Sequence, residues 1–456
     1  MSKTPRLLLC APASGGGKTT VTCAILQALV DRGMRPVAFK CGPDYIDPMF
    51  HSEIIGAKSR NLDLFFLGAD TTCRLLAENT AGSSLAVVEG VMGYYDGIGM
   101  SSDAGAYDLA RTTGTPAILV ADARGRALSA AALVKGLAEF RPDSGIRGVI
   151  LNRCSPMLYP RLKACVEEEV GIPVFGYLPL MSECALESRH LGLITAAEVG
   201  DLREKLRRLA EQAEKTLDID GLLALSGAAP DLTYTPEKPV KIAGTPPVVA
   251  LARDNAFCFY YEDGLAELRR QGAELVEFSP MEDTALPAGA CGLYLGGGYP
   301  ELYARRLSEN IAMRKAVRKA VLGGMPCVAE CGGFLYLHQS MEGSDGESYP
   351  MANVLEARAY RTDRMGRFGY VTLTAEKDNL LCRAGETLPG HEFHYWESTD
   401  PGAGFIARKP QSDRKWDCVH TSARLYAGFP HFHFASRPEA ARRFTAACVR
   451  YREELQ

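Results

Sequence analysis

The chain has little of what marks a membrane-spanning, nucleic-acid-binding or disulfide-stapled protein. No apolar run approaches the roughly 20 residues that a membrane span requires. The net charge of −4 argues against a general binder of nucleic acid or membrane surfaces. The 14 cysteines are scattered without a C-x-x-C pair, and the four-residue separation of Cys327 and Cys331 suits zinc poorly. We therefore expect reduced thiols in a cytoplasmic protein, with no signal peptide before the first predicted strand at residue 7.

The length and the pattern of apolar runs predict two α/β domains. A chain of 456 residues with 46% hydrophobic and 23% charged residues is typical of a globular protein with two domains or three. Short apolar runs alternate with helix-length segments, as in parallel sheets covered by helices on both faces. A proline-rich stretch without periodicity predicts a linker. The expected bounds are a first domain at 1–228, the linker at 229–246 and a second domain at 247–456.

A glycine-rich loop follows the first predicted strand and precedes an amphipathic helix. Glycines let backbone N–H groups close around phosphate oxygens, and the helix N-terminus adds unpaired donors and partial positive charge. Lys18 is predicted to reach the outer phosphates, and Thr19 to offer a hydroxyl to magnesium. Pro12 replaces the first glycine of the strict phosphate-loop pattern, so the loop is a variant. The predicted nucleotide-binding residues of the loop are Gly15, Gly16, Gly17, Lys18, Thr19 and Thr20.

Polar residues follow the predicted strands of the first half, where ligands of parallel sheets bind. The loop at 40–48 packs a lysine, a tyrosine and two aspartates together. Glu89 ends the next predicted apolar strand, where a phosphate-loop enzyme places a magnesium carboxylate. Asp44 or Asp47 is expected to complete that magnesium shell. Asn152, followed by Arg153, stands at a position that often borders adenine, as does the stretch 176–179.

In the second half, a predicted strand runs into Cys331, two glycines and a helix. This is the nucleophile-elbow arrangement, in which a strained turn lifts a reactive atom above the sheet. The helix N-terminus favours the thiolate, which is the attacking form. We expect the N–H group of Gly332, together with N–H groups of Gly297 and Gly298, to bind the oxyanion that follows attack.

A cysteine nucleophile requires a base, and four of the eight histidines fall in two aromatic-rich segments. His431 and His433 stand two residues apart on a predicted strand, so that one is expected to face Cys331. His391 and His394 are rivals for the same role. A metal site built from these histidines is a further alternative.

Ten stretches give the chain a resemblance to the corrin-amidating glutamine amidotransferases, the family of cobyrinic acid a,c-diamide synthase, over nearly its whole length. Any one stretch alone is weak, but their shared order is specific. The first domain is thereby expected to resemble the dethiobiotin-synthetase-like phosphate-loop fold, and the second the class I glutamine amidotransferases. The stretches are SGGGKTT (14–20), FKCGPDYIDP (39–48), SRNLDLF (59–65), VVEGVMGYYDG (87–97), the segment at 187–194, LGGGYPELYA (295–304), AECGGFLYL (329–337), RFGY (367–370), GHEFHY (390–395) and HFHFASRP (431–438).

The resemblance implies a ligase that amidates the a- and c-acetate carboxylates of cobyrinic acid with ATP, Mg²⁺ and glutamine. Cys331 and His431 are implied as nucleophile and base, with Gly298 and Gly332 at the oxyanion. The usual glutamate two residues after the histidine is absent, because His433 holds that place. Thr19, Asp44 and Glu89 are implied as magnesium ligands. The residues expected on the acceptor side are Lys40, Tyr45, Asp47 and Asp96.

Other functions remain open from the sequence. The same architecture amidates hydrogenobyrinic acid or a nickel-containing sirohydrochlorin, and a more distant cousin amidates cobyric acid. A regulatory, partition-type ATPase with an inert amidotransferase module is the alternative from another class. Ala13 argues against it, because it replaces the signature lysine of those ATPases. The expected partners are small molecules rather than nucleic acid or membrane, with a homodimer as one arrangement.

Overall fold

The computed structural model describes residues 4–185, 196–237 and 244–455. The chain divides into two compact units, Met1–Pro236 and Glu237–Gln456. The predicted motif segment at 187–194 lies outside the described residues. In the part of the chain that is described, no helix combines the length and apolar character that a membrane crossing requires.

The first unit is built on a seven-stranded parallel sheet in the order β3-β2-β4-β1-β5-β6-β7. Along β1, Leu7 and Leu9 enter one apolar cluster while Leu8 and Cys10 enter another. The sheet is therefore buried on both faces, which explains its continuous apolar strands. The strands are Arg6–Cys10 (β1), Pro36–Cys41 (β2), Lys58–Leu62 (β3), Leu85–Glu89 (β4), Ala117–Asp122 (β5), Ile146–Asn152 (β6) and Val174–Leu178 (β7).

Helices cover both faces of this sheet, and a π-helix at His51–Ile55 follows the second of them. The first helix begins directly after the glycine-rich loop, with Gly17 as its N-cap residue. The α-helices are Lys18–Asp31 (α1), Ile46–Phe50 (α2), Leu64–Thr80 (α3), Ala106–Thr113 (α4), Leu128–Glu139 (α5), Tyr159–Val170 (α6), Ala196–Thr216 (α7) and Ile219–Gly227 (α8).

The second unit combines a mostly parallel sheet, in the order β20-β21-β11-β10-β8-β9, with two smaller sheets. The small sheets have the orders β13-β12-β14-β17 and β19-β18-β15-β16-β22, and the latter is antiparallel throughout. The strands of the main sheet are Val248–Ala252 (β8), Glu274–Phe278 (β9), Ala290–Leu295 (β10), Cys327–Glu330 (β11), His420–Thr421 (β20) and Leu425–Gly428 (β21).

The remaining strands form the small sheets, and five helices complete the unit. The strands are Ser340–Glu342 (β12), Ser348–Pro350 (β13), Arg358–Arg361 (β14), Arg367–Ala375 (β15), Thr387–His394 (β16), Trp396–Ser398 (β17), Phe405–Arg408 (β18), Lys415–Cys418 (β19) and His431–Phe432 (β22). The helices are Glu262–Arg270 (α9), Ala304–Glu309 (α10), Ile311–Leu322 (α11), Gly332–Tyr336 (α12) and Pro438–Glu454 (α13).

The predicted α/β class is confirmed in both units, but two features were not predicted. Strand β3 carries Lys58, Arg60 and Asn61, and this polar composition suits its place at the sheet edge. The antiparallel strands of the second unit mix polar and apolar residues, so they contain no continuous apolar run that would have predicted them. They matter for function because β22, which pairs with β16, carries His431.

Candidate active sites in the two units

The glycine-rich loop of the first unit adopts a conformation that only glycine tolerates well. Gly15 and Gly17 have positive φ angles of 74° and 91°. A Cβ atom at Gly17 would lie 1.9 Å from Nδ2 of Asn152. Asn152 donates a 3.0 Å hydrogen bond to the carbonyl of Gly16, and Arg153 donates one of 3.0 Å to Gly15. The end of β6 thus holds the loop.

Lys18 and Thr19 are the first residues of helix α1, directly after the glycine-rich loop. The Lys18 ammonium donates to the carbonyl of Ala13 at 3.3 Å and also to that of Met92. Burial, followed by the charge of Lys40, lowers the pKa of Lys18. Thr19 Oγ1 donates a 2.6 Å hydrogen bond to Glu89 Oε1. Thr20 lies in the same helical turn, half-buried.

Glu89 is a fully buried carboxylate at the end of β4, opposite Lys40 of β2. Lys40 Nζ donates to Glu89 Oε1 at 2.9 Å and also pairs with Asp47. Burial raises the pKa of Glu89. Among the described residues, none forms a hydrogen bond to the second carboxylate oxygen of Glu89, which lies 3.7 Å from Nε2 of His51. One side of this carboxylate therefore faces Thr19 and Lys40, and the other faces His51.

The two aspartates of the 40–48 loop differ in their surroundings. Asp44 Oδ1 accepts from the backbone N–H groups of Ile46 at 2.8 Å and Asp47 at 3.4 Å. Burial and the charge of Asp47 raise the pKa of Asp44 to about 6. Burial opposes ionisation of Asp47, but Lys40 lowers its pKa. Asp47 is thus an ion-pair partner, whereas Asp44 has no cationic side chain bonded to it.

The other predicted acceptor-side residues lie in loops near these groups. Tyr45 immediately precedes helix α2 and is half-buried. Asp96 is exposed after β4, and its Oδ2 accepts from the N–H of Gly93 at 2.9 Å. Sequence reasoning missed His51, which is fully buried and whose ring nitrogens form no hydrogen bond within the described part of the chain. Burial lowers the pKa of His51 to about 4, so it is neutral at pH 7.

In the second unit, Cys331 occupies the strained turn between β11 and α12. Its φ angle of 46° is in the left-handed region, which is uncommon outside glycine and turn-forming polar residues. The N–H of Gly298 lies 3.2 Å from the position that a Cβ at Gly332 would take. The two predicted oxyanion donors are thus adjacent, and within the described ranges neither N–H donates a hydrogen bond.

His431 is the histidine that reaches Cys331. It is buried on β22 and hydrogen-bonded to the Cys331 side chain. Burial alone would lower its pKa, but Cys331 and Glu330 raise the pKa of His431 to about 10. A protonated imidazole beside the sulfur favours the thiolate. A Cβ on Gly297 would lie only 2.4 Å from the His431 ring, so glycine at 297 makes room for that imidazole.

The three rival histidines have other partners. His391 faces His431 across the strand pair, and burial followed by His431 lowers its pKa to about 3. His394 bonds to the carbonyl of Trp396 at 2.7 Å and stacks on Phe429 with ring centroids 3.9 Å apart. His433 accepts from the N–H of Ala435 at 3.1 Å. No group of three metal-binding side chains occurs in the described part of the chain.

Sequence reasoning also missed Glu330, the residue before the nucleophile. Its Oε2 lies 3.3 Å from Nδ1 of His431, and its Oε1 accepts a 2.8 Å hydrogen bond from the Tyr294 hydroxyl. The signal was present, because a charged residue ends an otherwise apolar strand. The family pattern instead predicts the carboxylate that accompanies the cysteine and histidine at the position two residues after the histidine, which His433 occupies here.

Comparison with known families agrees with this division into two sites. Residues 7–194 match the model of the CobQ/CobB/MinD/ParA nucleotide binding domain, and residues 248–439 match that of the CobB/CobQ-like glutamine amidotransferase domain. The chain is therefore of the class that joins a nucleotide-binding domain to a glutamine amidotransferase domain.

Curated relatives identify the family within that class. The chain is 40% identical to "Cobyrinate a,c-diamide synthase" of Salmonella typhimurium over 97% of this chain and 98% of the relative. It is 39% identical to the synthase of that name from Caldanaerobacter subterraneus, covering 95% and 96% of the two chains. It is 38% identical to the synthase of the same name from Thermoplasma volcanium, over 100% of this chain and 99% of the relative. The chain belongs to the cobyrinate a,c-diamide synthase family. The members of this family are amidating ligases that use glutamine.

Gly297→Ala tests the close packing of the glutaminase site. The new methyl group would displace the His431 ring, and a shift of about 1 Å at a catalytic group costs roughly 100-fold in rate. We expect kcat for glutamine hydrolysis to fall by about that factor. Gly136→Ala is the matched control, since a Cβ there has nothing within 4 Å. Unchanged glutaminase activity in Gly297→Ala would contradict the assignment of His431.

Lys40→Met tests whether Lys40 neutralises the buried carboxylates or mainly binds substrate. Removing one partner of a buried ion pair leaves an uncompensated charge, which costs about 3–5 kcal/mol. We expect that loss in the free energy of unfolding of the first unit, measured by urea titration. Adding Glu89→Gln to the same chain should recover part of it. A Lys40→Met protein as stable as the parent would refute the neutralising role.

Proposed function

We propose that this protein amidates the a- and c-acetate carboxylates of cobyrinic acid, using ATP and taking nitrogen from glutamine, in cobalamin biosynthesis. The observation that carries the proposal is the pairing of Cys331 with His431 beside the N–H groups of Gly298 and Gly332, in a chain whose other unit has a glycine-rich loop before a helix. Full-length similarity to synthases of that name supplies the substrate.

A carboxylate does not react with ammonia at neutral pH because it has no leaving group. In the proposed first step, a carboxylate oxygen of the macrocycle attacks the γ-phosphorus of ATP. The bond to the bridging oxygen breaks, and ADP leaves with that electron pair. Lys18 and the N–H groups of the loop stabilise the charge on the phosphate oxygens. Asn152 and Arg153 keep the loop in its cradle conformation.

Mg²⁺ is part of this proposal, and the residues present fit it. The Oε2 of Glu89, the Thr19 hydroxyl and the carboxyl of Asp44 would supply an all-oxygen donor set, which this cation prefers. When bound, the ion supplies charge neutralisation on the phosphates. Asp47 is tied to Lys40, which leaves Asp44 as the preferred ligand of the two. Tyr45 and Asp96, with Lys40 and Asp47, are proposed to line the acceptor side.

In the second unit, the Cys331 thiolate attacks the side-chain carbonyl carbon of glutamine. The tetrahedral oxyanion is bound by the N–H groups of Gly298 and Gly332. His431 gives its proton to the departing nitrogen, so ammonia leaves and a thioester forms. Water, deprotonated by His431, then hydrolyses the thioester to glutamate and regenerates the thiolate. Ammonia attacks the acyl phosphate, and phosphate leaves as the carbon–nitrogen bond forms.

The macrocycle is the component that needs a direct experiment. Purified protein is incubated with ATP, Mg²⁺, glutamine and one of cobyrinic acid, hydrogenobyrinic acid or nickel sirohydrochlorin, and products are analysed by mass spectrometry. We expect cobyrinic acid to give the diamide at the highest kcat/KM. A higher kcat/KM with hydrogenobyrinic acid or nickel sirohydrochlorin would make that macrocycle the substrate in place of cobyrinic acid. No amidation with any of them, alongside intact ATPase activity, would favour the partition-type alternative.

Two further properties of the protein stay predictions. These are a cytoplasmic location and a homodimeric state, and sedimentation would check the homodimer.

Cys331→Ser tests the division of labour between the units. The serine hydroxyl is a far weaker nucleophile, so glutamine-driven amidation should fall to background. Amidation driven by added ammonium salt should remain within about twofold, because the first unit is unchanged. Cys165→Ser is the control for replacing a partly exposed thiol. Loss of both activities would mean that the two sites are not independent.

A further inference from the structure

Glu330 and Cys331 are consecutive residues at the end of one strand. It is the last residue of β11, it is fully buried, and Cys331 follows it directly. A buried carboxylate costs several kcal/mol unless charged or hydrogen-bonding partners compensate it. Glu330 has two such partners, one at each oxygen, and both side chains come from other strands.

The two contacts orient His431 as well as Glu330. The Tyr294 hydroxyl fixes Oε1 at 2.8 Å, and Oε2 then faces Nδ1 of His431 at 3.3 Å. A carboxylate at Nδ1 keeps the proton on that nitrogen and leaves Nε2 for the nucleophile. The position two residues after His431 is taken by His433, whose ring stacks on Tyr261 and caps a short helix.

We propose that Glu330 is the positioning residue of the glutaminase site, completing the Cys331–His431 pair from the nucleophile's own strand, with Tyr294 holding its carboxylate. The inference rests on the proposed glutaminase function. Removing the charge should lower the affinity of the imidazole for its second proton. The groups facing His431 are Cys331, Glu330 and His391, with Tyr294 behind Glu330.

Glu330→Gln is the test, with Tyr294→Phe as the milder variant. For Glu330→Gln we expect kcat of glutamine hydrolysis to fall by up to about 10⁴-fold, the loss seen when a triad aspartate is replaced by its amide. The KM for glutamine should change little. The alkaline limb of the pH–rate profile should move to lower pH, because the imidazolium loses its counter-charge. Tyr294→Phe should lower kcat by about tenfold and leave the limb in place.

The readouts separate this role from simple structural support. Ammonia-driven amidation should persist in both variants, and its absence in the parent would instead refute the proposed function. Alkylation of Cys331 by iodoacetamide, followed on its peptide by mass spectrometry, reports the thiolate directly. Should Glu330→Gln fail to fold, a Tyr294→Phe protein with parental kcat and alkylation rate would overturn the proposal. The proposal would also be overturned by a folded Glu330→Gln protein whose kcat lies within about threefold of the parent and whose alkaline limb does not move.

Discussion

Each unit of this protein buries a glutamate at the carboxyl end of a parallel strand, and the site around it depends on how that charge is compensated. Glu89 is held by Lys40 and Thr19, and Glu330 by His431 and Tyr294. Burial of an uncompensated carboxylate costs several kcal/mol, so each arrangement fixes the positions of its partners. The partners include residues to which the proposed function gives a chemical role.

The two compensated charges serve opposite electrostatic needs. A phosphoryl site must gather positive charge and donors around an incoming polyanion, and the loop N–H groups and Lys18 are proposed to supply them. Lys40 is occupied by its carboxylates, so it adds no free cation. A thiol site needs one imidazolium and little else. The neutral His391 and His433 beside His431 fit that requirement, since burial lowers the pKa of each.

Much of the fold and of both sites could be predicted because their signals are local. The loop around Lys18 and the elbow at Cys331 can each be recognised from fewer than about ten consecutive residues, together with the predicted strand and helix on either side. The choice among His391, His394, His431 and His433 was not local, since it depends on antiparallel pairings between β15, β16 and β22. Strand β3 was missed because an edge strand need not be apolar.

Glu330 and His51 show why spacing alone misleads at a site. A side chain can reach the same point from a different strand, so a missing residue in a motif does not mean a missing group in space. Glu330 arrives from the nucleophile's strand, where Tyr294 on the neighbouring β10 can hold it. In parallel sheets, neighbouring strand ends lie side by side, so adjacent strands are the first place to look for such a substitute. His51 approaches Glu89 in a comparable way, from a π-helical turn that follows helix α2.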